Sequence, residues 1–187
     1  MVKVTASQRV QAHLERVLGM PARFSTARGD GLPVPFRIAT YIHQPANDAV
    51  TLVTIGMSET CLGSPPVRQE LLLCTWKELF SESLYDSLFR LGHELQSTAT
   101  AAYLGSIVEL PAPIFGGGSA HMLVYTPTYF DADLYMIAGA DPIRIVWLIP
   151  VTAAEADLVL HDGVRALEVR FEENDPDLLD LEREGVV

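Results

Sequence analysis

Ile143-Arg-Ile-Val-Trp-Leu-Ile-Pro-Val-Thr-Ala-Ala-Glu155 carries two kinds of structure in one stretch. Ile143 to Ile149 is dense in β-branched and aromatic side chains, which suit the pleated surface of a sheet. The apolar run to Val151 is far too short to span a bilayer and includes Arg144 and Pro150. Arg144 alternates with Ile143 and Ile145, so it is expected on the exposed face, and Trp147 in the core. After Pro150 the rule changes. Thr152-Ala-Ala-Glu155 is a capping box, in which the threonine hydroxyl and the glutamate carboxylate each satisfy an orphan amide of a helix start. The helix is predicted through about Leu160, with Gly163 interrupting before a second helical segment from Val164 to Phe171.

Upstream, His121 to Tyr125 and Ile107 to Glu109 read as strands, with an irregular stretch between Tyr125 and Ile143. Pro111, Pro113 and Gly116-Gly-Gly118 dictate a loop. Leu84, Leu88, Leu91 and Leu95 recur at helical spacing beside Tyr85 and Phe89, predicting an amphipathic helix that runs to about Tyr103 and ends at Gly105. Arg68 to Thr75, with Leu71-Leu-Leu-Cys74, suits a strand covered on both faces. Val34 to His43 and Val50 to Ile55 are two strands joined by the hairpin-length Gln44-Pro-Ala-Asn-Asp48. Residues 22 to 33 read as loop. Thr5-Ala-Ser-Gln8 opens a helix with Val10, Leu14, Val17 and Leu18 on one face, stopped by Gly19-Met-Pro21. Helices and strands do not alternate regularly and at least one hairpin is present. The expected class is therefore α+β, a mixed, largely antiparallel sheet covered by helices in a single domain. That domain is expected over residues 1–173. Residues 174–187, acidic and broken by Pro176, are expected as a partly disordered or loosely docked tail.

Composition narrows the function. With 187 residues, 49% hydrophobic and 20% charged, the chain has ample means to bury a core, and general disorder is excluded. A net charge of -11, from 13 basic and 24 acidic residues, disfavours nucleic acid and anionic lipid. It favours a basic protein partner, chiefly by speeding association. Cys61 and Cys74 make no disulfide scaffold, and Cys74 in its apolar run is expected as a buried thiol. Gln8, Arg9, His13, Glu15 and Arg16 interrupt any apolar leader, so a cytoplasmic location is expected.

Each chemical motif fails on geometry. Gly116-Gly-Gly-Ser119 lacks the Gly-Lys-Ser/Thr of a phosphate loop. Ser119 and His121 lack the Gly-x-Ser-x-Gly elbow of a hydrolase. His13, His43, His93, His121 and His161 show no metal-ligand spacing, and His93-Glu94 has no second histidine. The acidic tail lacks the glycine and the alternation of a calcium loop. No catalytic residue, metal or cofactor is therefore expected. Trp76, at a strand-to-helix junction, is expected as a core anchor whose indole N–H meets a backbone acceptor. Gly56-Met-Ser-Glu59 ends a strand before a loop over residues 59–66. On the residues alone, Gly56 permits a bend, Met57 packs inward and Ser58 caps a turn; the alternative is an exposed strand end with Met57 as an adaptable apolar contact.

Thr51-Leu-Val-Thr-Ile-Gly-Met-Ser-Glu59, Arg68-Gln-Glu-Leu-Leu-Leu-Cys74 and the Trp147 to Glu155 stretch together resemble the suppressor-of-fused domain family in its compact bacterial form. The resemblance spans about residues 34 to 173. Gly56, Met57, Ser58, Glu59, Glu70 and Leu71 match a recurrent strand-end motif and the Glu-Leu pair of the next strand. The resemblance implies protein binding without chemistry, with Met57, Ser58, Glu59 and Glu70 at the partner-binding surface. Animal relatives hold an extended peptide against their sheet, a form of strand addition. Bacterial relatives resemble immunity proteins of polymorphic toxin systems, so the expected partner is a basic toxin domain. The alternatives are a hydrolase built on Ser119 and His121, and a regulatory adaptor with no toxin partner.

Overall fold

A computed structural model describes residues 4–26, 34–110, 113 and 120–187. In chain order it contains α1 (Ala6–Leu18), β1 (Arg23–Ser25), β2 (Arg37–Ile42), β3 (Ala49–Ile55), β4 (Arg68–Trp76) and α2 (Ser83–Ser97). These are followed by β5 (Ile107–Glu109), β6 (His121–Tyr125), β7 (Met136–Ile137), β8 (Ile143–Val151), α3 (Ala153–Asp162) and α4 (Val164–Asn174). The strands form one sheet in the order β1-β2-β3-β4-β8-β6-β5, with β7 beside the start of β8. Every pairing is antiparallel except β4 with β8, where Arg68 to Leu72 run parallel to Ile143 to Trp147. This is a single α+β domain with a mixed, largely antiparallel sheet, as its sequence pattern predicts.

The two-residue period of the strands sends alternate side chains to opposite faces. Leu71, Leu73, Val146 and Leu148 join Leu84, Leu88, Leu91 and Leu95 of α2 in one core. Leu72, Cys74, Ile145, Trp147 and Ile149 join Val10 and Leu14 of α1, Val159 of α3 and Leu167 of α4 in the other. Burying each large aliphatic side chain contributes about 1.5–3 kcal/mol, so both faces of the central strands carry stability. This explains why β4 and β8 lack clean polar alternation. Both capping boxes form: Thr5 with Gln8 at α1, and Thr152 with Glu155 at α3.

Several expectations need correction. Helix α2 ends at Ser97, not near Tyr103. Ala99 adopts φ 52°. The Ala99 amide donates to the Gln96 carbonyl and the Thr100 amide to the Leu95 carbonyl. That is a Schellman stop with alanine in the glycine position, so composition hid it. Ala101 and Ala102 then turn into the core. The loop expected over 22–33 contains β1, held against β2 with Phe24 opposite Ala39. The irregular stretch before Ile143 contains β7, which places Met136 opposite Arg144. Arg144 is accordingly half-buried instead of exposed.

Candidate protein-binding site

The Gly56-Met-Ser-Glu59 segment is a structural knot built around Glu70. Pairing of β3 with β4 stops at Val53 and Leu72. Beyond it, the Leu71 amide donates to the Thr54 hydroxyl instead of a backbone carbonyl, at 2.8 Å. Glu70 occupies the gap, fully buried. Its carboxylate accepts from the Thr54 hydroxyl at 2.7 Å, the amides of Gly56, Met57 and Ser58 at 2.9, 3.2 and 3.1 Å, and the Ser58 hydroxyl at 2.6 Å. Burial pushes the Glu70 carboxyl up from its ordinary value, while the bonds from Ser58, Thr54 and the Gly56 amide pull it down. The chain can turn here because Gly56 has φ 120°, and a Cβ there would lie 3.0 Å from the Pro35 carbonyl oxygen.

Met57 and Ser58 are also fully buried. Burial matches the inward packing of Met57 expected from the residues alone and corrects the exposure that the family resemblance implies for Met57 and Ser58; it keeps both side chains and Glu70 from touching a partner in this conformation. Met57 packs in the α2-side core beside Phe36. Glu59 is exposed, yet it has work inside the fold. Its carboxylate accepts from the Ser7 amide and the Ser7 hydroxyl, each at 2.7 Å. The bonds from Ser7 hold the Glu59 carboxyl below the usual range. Glu59 thus supplies an acceptor to an orphan amide in the first turn of α1. Arg68 clamps the same turn by donating to the Ser58 and Glu59 carbonyls at 2.7 and 2.8 Å. Of the 59–66 loop, Leu62 is buried while Thr60, Cys61 and residues 64–66 are exposed.

The carboxy-terminal residues, expected as a loose tail, are docked. Leu179 and Leu181 are buried. The Arg183 guanidinium grips the Glu155 carboxylate with both arms, at 2.8 and 2.9 Å. That carboxylate also accepts from the Thr152 and Val186 amides, at 2.8 and 3.0 Å. Burial acts to raise the Glu155 carboxyl, but Arg183 and the two amides outweigh it, so it titrates below its ordinary value. The Trp76 indole donates to the Asp177 carboxylate at 2.6 Å, not to a backbone carbonyl as expected.

Two clefts share Trp76 and Glu78, and the docked segment lines the first of them. One, of about 400 Å³, is lined by Trp76, Glu78, Leu79, Asp177, Asp180 and Glu182. The other, of about 560 Å³, is lined by Asp48, Trp76, Lys77 and Glu78. Five carboxylates and one ammonium thus surround a partly exposed indole. Such a surface attracts cations and can stack against a guanidinium or ammonium group. The acidic tail is legible in sequence as a solvated run able to meet a basic partner, but its gathering around Trp76 is not, because the carboxylates come from three segments that only folding brings together. The available signal was the density of acidic residues between 172 and 184.

Of the other sequence candidates, Ser119 and the 116–118 glycines lie outside the described residues. His121 begins β6, opposite Glu109 and Val151. Among the described residues, no three His, Cys, Asp or Glu side chains are grouped to hold a metal. No helix among them is long and apolar enough to cross a membrane. Cys74 is a buried free thiol, its pKa pushed up to about 12 by burial. Strands β1 and β5 are the two ends of the sheet.

The suppressor of fused protein family model matches residues 33–184. Among curated proteins there is no significant match. A suppressor-of-fused homolog from Neisseria gonorrhoeae has a similar solved structure, with TM-score 0.79 and 20% identity, covering 97% of each chain. The Sufu–Fu complex structure contains a chain similar at TM-score 0.74 and 14% identity, over 99% of this chain and 93% of that one. Drosophila Suppressor of Fused is similar at TM-score 0.70 and 14% identity, over 95% of this chain and 50% of that one. Shared topology at such low identity establishes the fold, and the family match rests on most of the chain's own length. The chain belongs to the suppressor of fused family.

Proposed function

We propose that this protein is a non-enzymatic protein-binding domain that acts in the cytoplasm, an immunity protein that neutralises a basic toxin domain. Family membership supports protein binding in general, and one relative is a chain of a Sufu–Fu complex. The observation that carries the electrostatic part is the pair of acidic clefts around Trp76, on a chain of net charge -11. A toxin that grips nucleic acid needs a basic face, and an acidic protein with an aromatic anchor competes for that face. Inhibition is then steric and electrostatic, and Glu59 contributes its negative charge beside the start of β4, the strand that ends at Trp76.

The test begins with the product of the neighbouring gene, co-expressed with this chain. Protection of the host and co-purification are the expected results. Glu78→Lys with Asp180→Lys should slow association and flatten its salt dependence, leaving the melting temperature close to that of the parent. Binding that is indifferent to both salt and these changes sinks the electrostatic reading. A neighbouring gene whose product is harmless and unbound sinks the immunity reading.

A further inference from the structure

Strands β4 and β8 run side by side only as far as Leu72 and Trp147. Beyond that point β4 continues against β3, with Leu73 to Trp76 opposite Leu52 to Ala49. Strand β8 continues against β6, with Leu148 to Val151 opposite Val124 to His121. Two parallel strands that part in this way leave a slot between their carboxyl ends. One side of each backbone there has no strand beside it.

The chain's own residues 177–186 fill the slot. On the β4 wall, the Trp76 amide and the Thr75 hydroxyl both donate to the Leu179 carbonyl, at 3.4 and 3.1 Å. On the β8 wall, Arg183 donates to the Pro150 carbonyl at 3.2 Å while gripping Glu155. Leu179 belongs to the core under α1, α3 and α4, whereas Leu181 belongs to the core under α2. The segment therefore passes from one face of the sheet to the other, turning at Asp177–Asp180 and again at Asp180–Arg183.

We propose that this slot is a groove for a twice-turned segment of Leu-x-Leu-x-Arg chemistry, and that residues 175–187 are its releasable occupant, a latch held in cis. The attachments are mostly side-chain contacts and local. One long backbone hydrogen bond joins the segment to β4 and one, from the Asp175 amide to the Phe171 carbonyl, joins it to the end of α4; its bonds from Asp180 to Asp177 and from Arg183 to Asp180 are internal. Its side-chain anchors are Leu179, Leu181 and Arg183, with Asp177 accepting from the Trp76 indole. Opposing them, Asp177, Asp180 and Glu182 gather with Glu78 around one cleft, where like charges repel. A segment with few ladder bonds and crowded like charges opens separately from the sheet core. Once lifted, it leaves a buried carboxylate without its arginine and two leucine sites without leucines. These are the elements that a trans segment of the same chemistry satisfies. The proposal is independent of the toxin reading, because no partner is needed to test it.

Hydrogen exchange on the intact chain is the first arm. Amides of residues 179–186 should exchange at least about tenfold faster than those of Val53, Leu72 and Trp147. Arg183→Ala should widen that gap by about a further tenfold without changing the three core amides. The second arm uses a fluorescent peptide of residues 175–187. It should bind the full-length Arg183→Ala protein and slow its exchange in α3, and bind the parent at least about tenfold more weakly, because the parent's groove is occupied. Parallel acceleration of the core amides, or equal binding to both proteins or to neither, overturns the proposal. If the variant fails to fold, the parent decides alone: exchange of 179–186 no faster than that of Leu72 and Trp147 overturns it.

Discussion

Glu70 accepts five hydrogen bonds inside the protein, three of them from successive backbone amides. A glutamine in its place has one oxygen and one NH2 group, so at least one amide N–H faces another donor. Glu70→Gln should cost on the order of 3 kcal/mol, read as a lower urea midpoint with an unchanged slope. A cost under about 0.5 kcal/mol would mean that the site accepts a neutral side chain, with hydroxyls turning to suit. Glu59 is a different case despite its neighbouring position. Glu59→Ala removes the acceptor for Ser7 and should cost about 1 kcal/mol, with exchange rising in the first turn of α1 alone. Tyr41 has the opposite sign. Its hydroxyl is buried with no hydrogen-bond partner among the described residues, and burial pushes its pKa above the ordinary value. Tyr41→Phe should therefore be neutral or stabilising by about 1 kcal/mol.

At the scale of elements, α2 carries two small residues whose exchange should have opposite effects. Gly92 sits where α2 crosses Phe36 and Met57, and an added Cβ would lie 2.5 Å from Phe36 Cζ and 3.1 Å from Met57 Sδ. Phe36 cannot swing away freely, since it is buried and packs on Phe89 at 5.7 Å between centroids. Alanine's helix preference over glycine contributes about 1 kcal/mol, whereas overpacking costs about 1–3 kcal/mol. The clash wins, and Gly92→Ala should lower the melting temperature. Ala99 holds φ 52° at the end of the same helix. Ala99→Gly relieves a left-handed conformation worth about 1–2 kcal/mol to an L side chain, less the entropy of the added glycine. A gain of about 0.5–1 kcal/mol in a thermal melt is expected. The leucine spacing of α2 made the helix legible, but its end was not, because an alanine does there what glycine usually does.

For the whole molecule, the docked carboxy-terminal segment links pH to structure through Glu155. Its carboxyl titrates below the ordinary value when folded, so its contribution is fully present above the unfolded pKa and is lost as pH falls through the folded one. Protection of the Val186 amide, which donates to that carboxylate, should fall over the same acidic window. Glu155→Gln should remove that pH dependence; a profile that persists in the variant would assign the effect to another group. Neighbouring residues alone set the local rules. The two capping boxes, the leucine stripe of α2, the hairpin of β2 with β3 and the doubly buried runs of β4 and β8 follow from periodicities that neighbouring residues impose on one another. The sequence also carried the family motif, though not its meaning. A bend at Gly56 and an inward Met57 are legible locally, but no local pattern says that a carboxylate fourteen residues from Gly56 will turn inward to meet three amides. Only the tertiary structure decided that, together with the pairing of Arg183 with Glu155, the gathering of acidic residues about Trp76 and the parting of β4 from β8. Each of these depends on contacts between segments far apart in the chain, and local sequence leaves such contacts open.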